Sequence, residues 1–117
     1  MATPNITTGV HDVTIERGAT YPLTLTWTSG GSPVNITGYT FAAQVWDKLK
    51  KVKYADFSVE YADRAAGKVN FKLTPTQTAT FKLDELKYDV KYKQPDNTEK
   101  YLIEGTIYMS EGYTSIT

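Results

Sequence analysis

Tyr21-Pro22-Leu23-Thr24-Leu25-Thr26-Trp27 decides the fold class. Tyr21, Leu23, Leu25 and Trp27 fall on one side of a two-residue repeat, and Pro22, Thr24 and Thr26 on the other. Side chains of a strand alternate between the faces of its sheet, so this is the pattern of a strand with one face buried. Threonine and aromatic residues also suit a pleated, half-buried surface. Pro22 has no N–H to give to a neighbouring strand, which places it on a sheet edge or near the start of the strand.

The alternation recurs on both sides of this stretch. Upstream, Val13 and Ile15 alternate with Asp12 and Thr14, and Arg17-Gly18-Ala19 turns the chain. Downstream, Ser29-Gly30-Gly31-Ser32-Pro33 is a turn cluster, with glycines free to adopt positive φ. A strand follows over 39–47, with Phe41, Ala43 and Val45 on one face and Ala42, Gln44 and Trp46 on the other. Three further alternating runs follow: Phe57-Val59-Tyr61, Val69-Phe71-Leu73 and Leu86-Tyr88-Val90-Tyr92. In the last strand Tyr101, Ile103, Gly105, Ile107 and Met109 share one phase, and Leu102, Glu104, Thr106 and Tyr108 the other. A glycine at 105, in mid-strand, points to a bulge or to the close approach of another group.

One helical signal interrupts the strands. Thr74-Pro75-Thr76-Gln77 carries an N-cap threonine, a proline at the first helical position and a glutamine three residues on. It predicts one or two turns that carry the chain across the end of a sandwich. Counted together, about seven strands joined by short turns predict an all-β, immunoglobulin-like antiparallel sandwich. The expected core is Leu23, Leu25, Trp27, Phe41, Val45, Val69, Phe71, Tyr88, Val90, Ile103 and Ile107.

Composition bounds the function. The chain of 117 residues is long enough for one self-sufficient domain. It divides into a flexible N-terminal arm over 1–10, a β-sandwich domain over 11–110 and a C-terminal tail over 111–117. There is no cysteine, so disulfides and thiolate metal sites are excluded. Thirteen basic and thirteen acidic residues cancel, which argues against binding nucleic acid by global charge. The Lys48-Leu49-Lys50-Lys51-Val52-Lys53 stretch reads as a solvated hairpin tip; it has lysines but no arginine and no stacking ladder. No apolar run reaches membrane-spanning length, and Met1-Ala2-Thr3-Pro4-Asn5 lacks the marks of a secretion signal. Synthesis in a cytoplasm is the expectation.

No enzyme constellation emerges. His11 is the single histidine and lies near one end. Asp84, Glu85 and Asp89 lack the alternating oxygen ligands of a calcium loop and read as solvated carboxylates. No glycine-rich phosphate loop opens a helix. The expectation is therefore no catalytic, cofactor-binding or metal residue.

Asp84-Glu85-Leu86-Lys87-Tyr88-Asp89-Val90 sharpens the fold, because it resembles the corner of immunoglobulin domains. There a tyrosine four residues after an aspartate bonds back to upstream backbone. Tyr88 takes the place of that structural-corner tyrosine, and Val90 stands where antibody domains carry cysteine. Leu86 replaces a small residue, and no disulfide exists, so antibody kinship is not implied. An ordinary alternating strand with a chance aspartate is the other reading.

Beyond this corner, Arg17-Gly18-Ala19-Thr20-Tyr21 running into Leu23, Leu25 and Trp27, then the stretch from Gly31 to Phe41, resembles small immunoglobulin-like virion proteins of tailed bacteriophages. That family includes the N-terminal domain of phage baseplate upper proteins. Ala66-Gly67-Lys68-Val69, Leu86 to Val90, and Ile103-Glu104-Gly105-Thr106-Ile107 fit in order, so the resemblance spans roughly residues 12–110. It implies a non-enzymatic structural protein of the virion, made in the bacterial host cytoplasm. Its partners would be other virion proteins at the tail, baseplate or neck, or on the capsid, in multiple copies of a symmetric assembly. With no long C-terminal region after residue 110, a stand-alone module is implied. A carbohydrate-binding sandwich module is the alternative and would require several exposed aromatic residues on one sheet face. A hydrolase accessory domain or inhibitor is a third reading. For the virion role, Trp46, Leu102 and Tyr108 are the expected partner interface, as outward residues of two strands in one sheet.

Overall fold

The computed structural model describes residues 5–6 and 9–111. Along the chain these form β1 (Asn5–Ile6), β2 (Gly9–Val10), β3 (Val13–Glu16), β4 (Tyr21–Thr26), β5 (Thr28–Ser29), β6 (Ser32–Pro33), β7 (Thr40–Trp46), β8 (Lys53–Asp56), β9 (Ser58–Asp63), β10 (Lys68–Leu73), α1 (Pro75–Ala79), β11 (Glu85–Lys93) and β12 (Glu99–Ser110). One sheet has the order β1-β4-β10-β9. The larger has the order β2-β12-β11-β7-β8, with β3 also on β12, and β5 and β6 make a separate small hairpin. In an immunoglobulin sandwich, strands B, E and D share one sheet and C, F and G the other. Here β4, β10 and β9 take the first set of places, and β7, β11 and β12 the second. The fold is an all-β sandwich with one short helix.

Within β4, Tyr21, Leu23 and Leu25 are buried and the residues between them are half-buried, as the alternation requires. Among the described residues β1 reaches only Thr24 and Leu25, so no described strand asks Pro22 for an N–H on that side. Trp27 lies just past the strand. Its ring packs partly buried against Tyr39, Phe41 and Tyr92, with centroids 6.0, 6.4 and 4.9 Å away. The other ten residues of the expected core are all buried, joined by Ile15, Ile36, Leu73, Phe81 and Leu86 among others.

The crossover from β10 to β11 is tied down by side chains. Thr74 Oγ1 accepts the Gln77 N–H at 3.2 Å, and Gln77 Oε1 accepts the Thr74 N–H at 2.8 Å, completing the capping box. Helix α1 is therefore one short turn that takes the chain from the smaller sheet to the larger. Fully buried Thr78 then accepts the Gly18 N–H at 3.0 Å and donates to the Ala19 carbonyl at 2.8 Å. Arg17 Nε adds a bond to the Phe81 carbonyl at 2.8 Å. The β3–β4 turn and the crossover thus hold each other.

Around β12 the alternation alone is insufficient. Ile103, Gly105 and Ile107 pair with Val90, Tyr88 and Leu86 as one continuous register, which then shifts between Val90 and Lys91 so that Lys91 pairs with Tyr101. Leu102 is the residue spanned by that shift. Gly105 marks a close approach, for a Cβ there would overlap the His11 carbonyl oxygen. That carbonyl is also the acceptor for Tyr88, whose hydroxyl donates to it at 2.6 Å. The expected bond from the Tyr88 hydroxyl to upstream backbone thus reaches a segment 77 residues away, where the N-terminal chain runs beside β12. Of the arm expected over 1–10, Asn5–Ile6 pairs with β4 and Gly9–Val10 with β12. Residues 1–4 and 7–8 of the arm, and 112–117 of the expected tail, lie outside the described residues.

Candidate functional site

The outer face of the larger sheet carries a concavity of about 520 Å³. Register places its floor residues in three rows across β7, β11 and β12: Ala42–Lys91–Tyr101, Gln44–Asp89–Glu104 and Trp46–Lys87–Thr106. Two ridges frame it. Val10 and Asp12 of the N-terminal segment border β12, where Asp12 Oδ1 accepts the Thr106 N–H at 2.9 Å. On the far side stands the β7–β8 tip, in which Asp47 Oδ1 accepts the N–H groups of Lys51 at 2.6 Å and Val52 at 3.1 Å. Lys50 adopts φ 56° at that tip, and its ammonium lies 6.0 Å from the Trp46 ring centroid.

The two aromatic rings stand at opposite corners of the rows. Trp46 is half-buried, and its indole N–H donates to Gln44 Oε1 at 2.9 Å. Tyr101 is 61% exposed, with the Lys91 ammonium 5.2 Å from its ring centroid. Lys87 Nζ donates to Thr106 Oγ1 at 2.6 Å, which helps bury an outward-facing threonine. Asp12, Asp47, Asp89 and Glu104 line the concavity opposite Lys48, Lys50, Lys87 and Lys91, so the lining is formally neutral. Desolvation holds the central Asp89 carboxyl above the usual aspartate range. Among the described residues no group of three or more His, Asp or Glu is placed to hold a metal ion.

Of the expected interface, Trp46 and Tyr108 lie on this outer face and Leu102 does not. The register shift at Leu102 breaks the strict alternation, so Leu102 is half-buried against the core. Tyr101, expected inward, is the residue turned to solvent in its place. Tyr108 is 44% exposed and pairs across strands with Glu85, beyond the concavity. Glu85 in turn takes the Lys48 ammonium at 2.5 Å, a bond that raises the lysine's pKa. Leu49 and Leu83 line a shallow depression beside this ion pair and are likewise exposed. Sequence reasoning missed Tyr101, because no residue near position 102 signals a bulge. Asp89 was read only as a solvated carboxylate, and Glu104 only as a member of the second phase of its strand.

No family model matches the chain, and no curated protein matches it significantly. Among solved structures it is similar to the N-terminal domain of phage TP901-1 ORF48, at 11% sequence identity. The likeness covers 93% of this chain and 98% of that one, with a TM-score of 0.60, and establishes a shared fold.

Proposed function

We propose that this protein is a structural component of a tailed-bacteriophage virion, a non-enzymatic sandwich that binds neighbouring virion proteins in a repeated, symmetric assembly. The observation that carries this reading is the fold shared with the N-terminal domain of phage TP901-1 ORF48, along nearly the whole of both chains. A second support is the run of sequence features from Arg17 to Ile107 that resembles small virion proteins. The docking contacts are assigned to the corner where Tyr108, Leu83 and Leu49 are exposed around the Lys48–Glu85 pair. Exposed apolar groups grouped around a charged pair supply both buried area and orientation when a partner covers them.

Mass spectrometry of particles purified from a host carrying the gene tests the reading. The chain is expected at a fixed ratio to the major capsid protein. Its absence from intact particles refutes a virion role. A Tyr108→Ala, Leu49→Ser chain that folds normally is expected to be missing from those particles, and its normal incorporation moves the contact elsewhere on the surface.

A further inference from the structure

We infer that the concavity on the larger sheet is a binding site for a neutral oligosaccharide, laid along the diagonal from Trp46 to Tyr101 over the Gln44–Asp89–Glu104 row. This site adjoins the Tyr108 corner and shares Lys48 with it, but its ring-bearing diagonal lies elsewhere on the face, and the inference does not rest on the virion reading.

Shape is the first argument. A volume of about 520 Å³ lies in the range of small-molecule sites. The diagonal crosses two strand spacings and four residues, a span of about 16 Å between backbone positions. An extended occupant fits that outline better than a compact one. A second copy related by a two-fold axis would bring one concave face onto another and leave a void between them.

Charge is the second. Four carboxylates and four ammoniums line the concavity. A nucleic-acid groove carries net positive potential along its length, and a site for cationic ligands carries the reverse. Both signs are interleaved, with Lys48 and Lys91 also paired to Glu85 and Glu99 at the rim, so no net positive potential is left for a polyanion and many donors and acceptors face one neutral molecule.

Chemistry is the third. The Trp46 N–H is already bonded to Gln44, so the indole presents its ring and not its donor. Tyr101 presents an exposed ring at the other end. Pyranose rings have apolar C–H faces that pack on aromatic faces, and hydroxyls that both donate and accept. The Gln44 amide, whose Oε1 already accepts from Trp46, offers its NH2 as a donor, and the carboxylates of Asp89 and Glu104 offer acceptors, across the three strands between the rings. They are carried by paired strands of one sheet, a rigid support.

The test is a titration of ¹⁵N-labelled protein with cellotetraose, maltotetraose and chitotetraose, followed by amide and indole resonances. At least one sugar is expected to give saturable shifts at the Trp46 indole N–H, the Gln44 side-chain amide and the backbone of Asp89 and Glu104. The Trp27 indole is expected to stay still. Affinity in the millimolar range, unchanged by added salt, is the expected signature of a neutral ligand. Tyr101→Ala removes an exposed ring without touching the core and is expected to weaken binding at least tenfold while the spectrum stays folded. Trp46→Ala provides a second variant at the other end. Unmoved resonances with all three sugars overturn the proposal. So does binding only of tetragalacturonate or inorganic phosphate, or shifts of the same signals with protein concentration alone, which would assign the face to a second copy.

Discussion

Gly105→Ala probes the close contact between the N-terminal chain and β12 at His11. A methyl group at 105 would overlap the His11 carbonyl oxygen, with the carbonyl carbon at 2.6 Å and Tyr88 Cε1 at 2.9 Å. Non-bonded carbon contacts need about 3.5 Å, so the His11 backbone must retreat by about 1 Å or more. Two hydrogen bonds break with that retreat: Tyr88 hydroxyl to His11 carbonyl at 2.6 Å, and His11 N–H to Glu104 carbonyl at 2.9 Å. Each contributes about 1 kcal/mol net, and a buried phenol left without a partner adds about 1 kcal/mol more. The expected loss is therefore about 3 kcal/mol, a fall in Tm of about 12 °C for a domain of this size. Urea unfolding followed by tryptophan fluorescence measures it directly. Tyr88→Phe alone is expected to cost about 1 kcal/mol. Added to Gly105→Ala it is expected to return about 1 kcal/mol, because its bond is already lost and the unpartnered phenol goes with it, so the cycle shows a coupling of about 2 kcal/mol. A Gly105→Ala chain within about 0.5 kcal/mol of the parent, or strictly additive effects, refutes the reasoning.

Two further outcomes follow from buried polar groups. Thr78→Val keeps the shape but leaves the Gly18 N–H and the Ala19 carbonyl without their partner. A loss of about 2–3 kcal/mol is expected in denaturant melts, and a neutral result refutes the role of Thr78 in joining the β3–β4 turn to the crossover. Burial pushes Tyr21 up to about 12 and Tyr88 higher still, from an ordinary value near 10. Both phenols keep their protons in either state below that value. Above it the unfolded chain ionises first, so stability present below pH 10 is lost as pH rises. Each tyrosine contributes at most about 1.4 kcal/mol per pH unit to this fall. Urea midpoints that stay flat from about pH 8 to 11 would contradict the burial of both rings.

Alternation within each run specified most strand faces, because successive side chains of any strand point to opposite sides whatever its neighbours are. The faces of β4, β7, β10 and β11 were legible in this way, and their apolar phases are the buried ones. The capping box at Thr74 and Gln77 was equally local, since both its bonds lie within three residues. Gly105 announced a close approach without naming what approaches.

Only the tertiary structure supplied that group, the His11 carbonyl, because nothing local links positions 77 residues apart. The register shift at Leu102 was equally out of reach. A bulge is a relation between two strands, so a single strand's pattern gives Tyr101 and Leu102 the wrong faces. The concavity depends on the same information. Its rows join residues of β7, β11 and β12 that become neighbours only when the sheet order is set, and its ridges come from the hairpin tip and the N-terminal chain. Side-chain periodicity is a property of one strand, whereas a site is made by the packing of several.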